Sequence, residues 1–301
     1  VFETIRINKG TFVTKTAFNE GYHTVVASIK KGKLPQWRVF RIKVNDPDKD
    51  RERANLSVDE IPDTASWKTY DISAYYNADV RTVYQQEYLS PRPNTVSARL
   101  GTDGYSPWTF PYWQCSPPAI SFDKVVHLKT EKNELLTTQG VPFCWNTNSN
   151  NILFTSLWDN YPAQKSISVG NAGEALHFLV CGTTNVMQCQ IANAVIYINY
   201  ADGGRDSLEL IPPVNYWNLS VINPNTSIPG QGVRSYYTAE MDRFCLPEKM
   251  PQIVELGENC TAMLLNRRLR KGVEVESISL ETLSQEVVVG LMAVTMMNPD
   301  K

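Results

Sequence analysis

The chain has 301 residues, of which 42% are hydrophobic and 10% aromatic, a composition that folds and that can bury one large core or two ordinary ones. A formal net charge of -2 leaves no basic field to gather phosphates, so nucleic acid is not an expected partner. No window reaches eighteen uninterrupted apolar residues, which argues against a membrane span. The first six residues do not read as a signal peptide, and the absence of an initiator Met fits a segment of a longer polypeptide.

In chain order, short runs rich in β-branched and aromatic residues predict strands at 11–14, 24–30, 37–44, 95–100, 124–128, 151–158, 176–181 and 285–295. A hairpin is predicted where 194–200 and 208–211 flank a turn containing Asp202-Gly203. A helix is predicted over 77–88, where Val80, Val83 and Tyr84 fall on one face behind an Asn or Asp cap and Pro91 bars continuation. Long stripes of helical period are otherwise scarce, so the predicted fold is all-β: an antiparallel β-sandwich, jelly-roll or galactose-binding-like, with additional N-terminal strands and a second, partial sandwich as an option.

The charged, turn-rich segment 45–53 suggests a boundary. Residues 1–50 then form N-terminal strands or a partial sandwich, 51–90 a connecting segment with the short helix, and 91–301 the main sandwich. The cationic run Arg267-Arg268-Leu269-Arg270-Lys271 reads as a solvated edge that discourages edge-to-edge pairing.

Catalytic and metal motifs are sparse. Six Cys (115, 144, 181, 189, 245, 260) show no Cys-x-x-Cys spacing and no nearby His, which disfavours a zinc site; buried thiols and disulfides both remain open. His23, His127 and His177 each sit inside a strand-like run and read as core or sheet-face histidines. No Gly-x-Ser-x-Gly elbow is present, and the glycines at 101, 104, 170 and 173 lack the strand-to-helix context of a phosphate cradle. For the paired carboxylates that glycoside hydrolysis requires, the candidates are Asp123, Asp159, Asp202 and Glu209, of which Asp202 suits its turn and Asp159 is a weak catalytic candidate.

Sugar recognition needs flat aromatic faces beside amides, carboxylates and guanidinium groups. Trp108 and Trp113 lie in a Pro-rich aromatic loop, Trp158, Asp159, Asn160 and Tyr161 follow a predicted strand, and Asn215, Tyr216 and Trp217 follow two prolines. These nine are the candidate ligand-binding residues. Each aromatic loop has two readings, a plug packed at the end of the sandwich or an exposed ligand platform.

Residues 88–93, 154–162, 182–188, 200–203, 215–217 and 280–295, taken in order, carry a resemblance. Over about 70–295 the chain resembles the C-terminal β region of large gut-bacterial proteins, a domain-of-unknown-function family related to six-hairpin glycosidases. The resemblance implies an accessory, non-catalytic piece of a polysaccharide-degrading glycoside hydrolase whose (α/α)6 catalytic barrel is not in this sequence. It also implies a periplasmic or extracellular location, and a catalytic domain of the same polypeptide as partner.

Three expectations follow. The first is an accessory sandwich that supports or covers the substrate cleft of that barrel. The second is an independent carbohydrate-binding module, and the third a glycosidase using Asp159 in an acid/base pair. No cofactor is expected; calcium enters by fold analogy alone, since no oxygen-rich ligand loop stands out.

Overall fold

The computed structural model describes residues 21–31, 34–44, 61–86, 89, 119–129, 134–148, 150–184, 188, 191–212, 214–219, 253–285 and 287–299. The chain divides into two compact units, Val1–Ala54 and Asn55–Lys301. In the first, β1 (Gly21–Lys31) and β2 (Leu34–Val44) form an antiparallel hairpin whose register runs from Gly21 opposite Val44 to Lys31 opposite Leu34. Val25, Val26, Val39, Phe40 and Ile42 give both strands the β-branched and aromatic character that suits a pleated surface.

The second unit holds β3 (Trp67–Tyr70), β4 (Leu135–Leu136), β5 (Pro142–Phe143), β6 (Leu153–Thr155), β7 (Gln164–Asn171), β8 (Ala175–Thr183) and β9 (Ala194–Tyr200). It continues with β10 (Arg205–Leu210), β11 (Ile253–Gly257), β12 (Cys260–Arg268), β13 (Val275–Thr282) and β14 (Val288–Met297). The smaller main sheet has the order β10-β9-β13-β7. The larger has the order β11-β12-β8-β14-β3, with β6 also pairing β14, and β4-β5 is a separate two-stranded ribbon. Every pairing is antiparallel, so the fold is an all-β antiparallel sandwich.

Alternation in the smaller sheet sorts its two faces. Ile167, Val169, Ile196, Ile198, Leu208, Leu210, Ile278 and Leu280 point inward and join one hydrophobic cluster with the larger sheet. The opposite face carries Ser166, Tyr197, Asn199, Arg205, Ser277 and Ser279, with the Ser166 and Ser279 hydroxyls 2.7 Å apart and the Asn199 Nδ2 donating to both Ser277 and Ser279. Arg205 lies 4.8 Å over the Tyr197 ring.

The larger sheet does not alternate, because both its faces are covered. All residues of β8 and β14 are buried. On one face Tyr70 donates from its hydroxyl to Asn171 of β7 at 3.4 Å, and the Thr155 and Thr282 hydroxyls meet at 2.7 Å between the sheets. On the other face Thr295 donates to the Pro142 carbonyl at 2.6 Å, and the Tyr76 hydroxyl donates to the Met292 carbonyl at 2.5 Å. A strand buried on both sides reads as a continuous apolar run, and 287–297 is one. Each large apolar side chain buried in this way contributes roughly 1.5–3 kcal/mol.

Several elements differ from the sequence expectation. Residues 61–86 are no mere connection: β3 is an edge strand of the larger sheet, with Trp67 opposite Met297. The predicted helix is a 3-10 helix over Val80–Gln85, capped by Asp79, which accepts from the Arg81 N–H at 2.9 Å, and Val80, Val83 and Tyr84 do face the core. Residues 124–128 are not a strand: Val125–Leu128 is a 3-10 helix, begun where the Val125 N–H donates to the Phe122 carbonyl at 3.1 Å. The run at 151–158 is strand only across β6. Arg267 is buried rather than solvated, while Arg270 pairs with Asp206 at 2.9 Å. The strands predicted at 11–14 and 95–100 lie outside the described residues.

The β9-β10 hairpin forms as predicted. Gly203 takes φ +83, which a side chain would strain, and the Asp202 carboxylate accepts from the Gly204 N–H at 2.8 Å.

Candidate functional site

Antiparallel connection sends the loops after β6, β8, β10 and β13 to the same end of the sandwich. There they are tied to one another by backbone hydrogen bonds. Thr282 N–H donates to the Ala163 carbonyl at 3.0 Å, Asn193 to Leu210 at 2.8 Å, Leu283 to Asn193 at 2.8 Å, and Leu219 to Gly182 at 2.9 Å. The Asn193 side chain, fully buried, donates to the carbonyls of Gln188 and Ile191 and accepts from Thr184 at 2.6 Å. These bonds hold the described parts of the rim loops against one another.

Both candidate clusters that fall within the described residues are on this rim. In the loop after β6, Trp158 is half-buried, Asp159 exposed and Asn160 half-buried, whereas Tyr161 turns inward against Phe154 with ring centroids 5.3 Å apart. Burial pushes the Tyr161 hydroxyl up to about 12, so it stays protonated under ordinary conditions. The Ser156 hydroxyl accepts from the Trp158 N–H at 3.2 Å and the Tyr161 N–H donates to the Trp158 carbonyl at 3.4 Å, which closes a tight turn around Asp159.

The second cluster is mainly architectural. Asn215 spends its amide on the backbone, accepting from Ile211 N–H and donating to the Glu209 carbonyl, each at 2.8 Å. Tyr216 is 0% exposed and donates to the Thr183 carbonyl at 3.1 Å, and burial holds its hydroxyl far above the usual tyrosine range. Trp217 is 1% exposed. In this arrangement neither ring presents a face to solvent, so both serve as the plug at the end of the sandwich. Trp108 and Trp113 lie outside the described residues.

The four candidate carboxylates are dispersed. Asp123 accepts from the Ser121 hydroxyl at 2.6 Å and the Glu258 N–H at 2.9 Å, which lowers its pKa and pins it to the β11-β12 turn. Asp202 occupies the β9-β10 turn at the opposite end from Asp159, and Glu209 stands exposed on β10 opposite Val195. Asp159 and Asp202 therefore cannot act as an acid/base pair on one bond. Among the described residues no group of three or more His, Cys, Asp or Glu converges as a metal site, and no helix is long and apolar enough to cross a membrane.

The rim also carries a feature that sequence reading missed. Leu157, Ile191, Val214 and Leu283 are 43%, 47%, 53% and 44% exposed, one on each of the four rim loops. Single exposed apolar side chains are ordinary, but these four share one end of the sandwich. The sequence signal was faint, since each lies beyond a strand end with at least one polar or turn-forming neighbour. Neither a family model nor a curated protein matches this chain.

Proposed function

We propose that this chain is a non-catalytic accessory β-sandwich of a polysaccharide-degrading protein, acting in the periplasm or outside the cell, and that its loop-bearing end docks against a catalytic (α/α)6 barrel of the same polypeptide. The observation that carries the reading is the rim quartet Leu157, Ile191, Val214 and Leu283. Apolar side chains left in water on loops that are otherwise tied down by buried hydrogen bonds suit a permanent intramolecular contact. The resemblance noted from the sequence supplies the identity of the partner.

Hydrogen exchange tests the reading in the complete gene product. The expected result is that amides in the loops after β6 and β13 exchange more slowly in the whole polypeptide than in residues 1–301 alone. Equal exchange in the two forms, or a complete reading frame without several hundred helix-patterned residues, rejects it.

A second reading is favoured by the loop after β6, where a half-exposed indole stands beside an exposed carboxylate: Trp158 stacks on a sugar ring and Asp159 meets its hydroxyls. It predicts saturable quenching of tryptophan fluorescence by soluble glycans, abolished by Trp158→Ala. Unchanged fluorescence across a panel of glycans rejects it.

A further inference from the structure

The whole-chain charge of -2 hides a segregation. Val1–Ala54 holds 12 Lys and Arg against 6 Asp and Glu, a net of +6, while Asn55–Lys301 holds 17 against 25, a net of -8. The excess is concentrated in the β1-β2 hairpin. Between Gly21 and Val44 the sequence contains Lys30, Lys31, Lys33, Arg38, Arg41 and Lys43 and neither Asp nor Glu. Charge asymmetry of this kind bears on partners rather than on fold.

The register sorts these positions between two faces. Directly opposite residues of an antiparallel pair share a face, and successive residues alternate. His23 opposite Ile42, Val25 opposite Phe40 and Ile29 opposite Gln36 belong to one face, whose composition is that of a face that packs. Tyr22 opposite Lys43, Thr24 opposite Arg41, Ser28 opposite Trp37 and Lys30 opposite Pro35 belong to the other. That second face has an aromatic position and a cationic position toward each end: Tyr22 with Arg41 and Lys43, and Trp37 with Lys30. The Tyr22 and Ser28 rows are six residues apart, roughly 20 Å of strand. Arg41 and Lys43 are two positions apart on one face, where like charges repel, and neither strand supplies an acid to offset them.

We propose that this face of the β1-β2 hairpin binds an acidic polysaccharide, a chain of uronic acid residues, with sugar rings stacked on Tyr22 and Trp37 and carboxylates met by Lys30, Arg41 and Lys43. The inference rests on the polysaccharide reading given above and adds the charge of the polymer. Two aromatic positions far apart along a strand suit a linear polymer, and a pyranose offers the apolar C–H face that an aromatic ring takes up. A nucleic acid duplex suits the face less well. It carries one charge per about 1.7 Å of axis, a density that three cationic positions do not match, and the chain as a whole is net negative.

The test is affinity electrophoresis of the full chain in gels containing polygalacturonate or alginate. Galacturonan with its carboxylates methyl-esterified serves as the matched uncharged polymer, and duplex DNA as the competing polyanion. The expected result is retardation by the two uronates and not by the esterified polymer, weakening at least about ten-fold between about 50 and 200 mM salt. Arg41→Gln/Lys43→Gln should lose at least about ten-fold in affinity, whereas Arg38→Gln, on the opposite face, should lose less than about three-fold. Near-UV circular dichroism checks that each variant is folded, and the salt and esterification arms on the wild type decide the matter without any variant. Retardation by neither uronate, equal retardation by the esterified polymer, or tighter binding of DNA overturns the proposal. Retardation that Trp158→Ala abolishes and the hairpin variant leaves intact also overturns it, while keeping glycan binding at the rim. Docking of the rim is read separately by hydrogen exchange, so the failure of one is distinguishable from the failure of the other.

Discussion

Trp67 on β3 meets His177 on β8 edge-on, with ring centroids 5.1 Å apart and planes at 76°. His177 is 0% exposed, and neither ring nitrogen has a hydrogen-bond partner. Its cross-strand neighbours, Thr295 on β14 and Asn266 on β12, are buried as well. Burial disfavours the imidazolium and lowers the His177 pKa from 6.5 to about 4. With the folded value below the unfolded one, the unfolded chain binds the extra proton, so stability is complete above about 6.5 and is lost as pH falls toward 4. The loss from this group is roughly 3 kcal/mol. His177→Leu should remove that part of the slope between pH 6.5 and 4 while leaving stability at pH 7.5 little changed. Urea midpoints measured at half-unit pH steps check this, and parallel curves for the two proteins would contradict it.

The Thr155 and Thr282 hydroxyls, both buried, bond each other at 2.7 Å between the sheets. Replacing one leaves the other with a poorer partner; Thr155 retains the Val289 carbonyl at 3.4 Å. Thr282→Val should cost about 1–2 kcal/mol, and Thr155→Val a similar amount. The double variant should cost clearly less than the sum, giving a coupling energy of about 0.5–1 kcal/mol in a thermodynamic cycle. Additive costs would show that the pair does not join the sheets.

Gly182 is required for close approach. A methyl group there would lie 2.2 Å from the Val288 carbonyl oxygen and 2.5 Å from the Tyr216 hydroxyl. Neither can retreat, since one is strand backbone and the other a fully buried ring. Gly182→Ala should destabilise by at least about 3 kcal/mol and lower the yield of folded protein. Circular dichroism melting against wild type measures it, and a variant that melts within a degree or two would refute this packing.

Asp79 joins three partners: it accepts from the Arg81 N–H and guanidinium and from the buried Asn151 amide at 3.0 Å. Burial alone would raise its pKa, but the bonds from Arg81 and Asn151 outweigh that and lower it. A lowered carboxylate stabilises the fold above its ordinary value of 3.8 and loses that contribution as pH falls through the lower, folded value. Asp79→Ala should cost about 1–2 kcal/mol at pH 7 and less at pH 2.5. A pH-independent cost, read from denaturant midpoints, would rule out the carboxylate as the origin.

The hairpin at β9-β10 was legible because its signal is local: an Asp-Gly pair between two apolar strands fixes turn and register together. The core face of Val80, Val83 and Tyr84 was legible too, since 3-10 and α geometry put nearly the same residues inward over so short a span. What was not legible is non-local. β7, with Ser166 and Ser168 on its outward face, and β13, with Ser277 and Ser279, look weak as strands and form only because their inward Ile and Val residues meet the larger sheet. Lys124 to Leu128 has strand-like composition, but Val125–Leu128 is a 3-10 helix, begun by the bond from the Val125 N–H to the Phe122 carbonyl, while the Lys124 N–H is bonded to the Leu256 carbonyl. At the rim, the sequence showed which loops carry rings and amides but not which way they face. Tyr216 and Trp217 turn inward while Trp158 stays partly outward, and only tertiary packing separates the two outcomes.

β14 is the last strand of the larger sheet in chain order, and it pairs with three strands that precede it, β3, β6 and β8. During synthesis those three strands are complete before β14 exists, so the edges that β14 will pair stay open, although β8 can already close on β12 along its other edge. The nascent polypeptide is most prone to aggregate in that interval, and holding factors that bind extended apolar segments have their window of action between translation of residues 183 and 288.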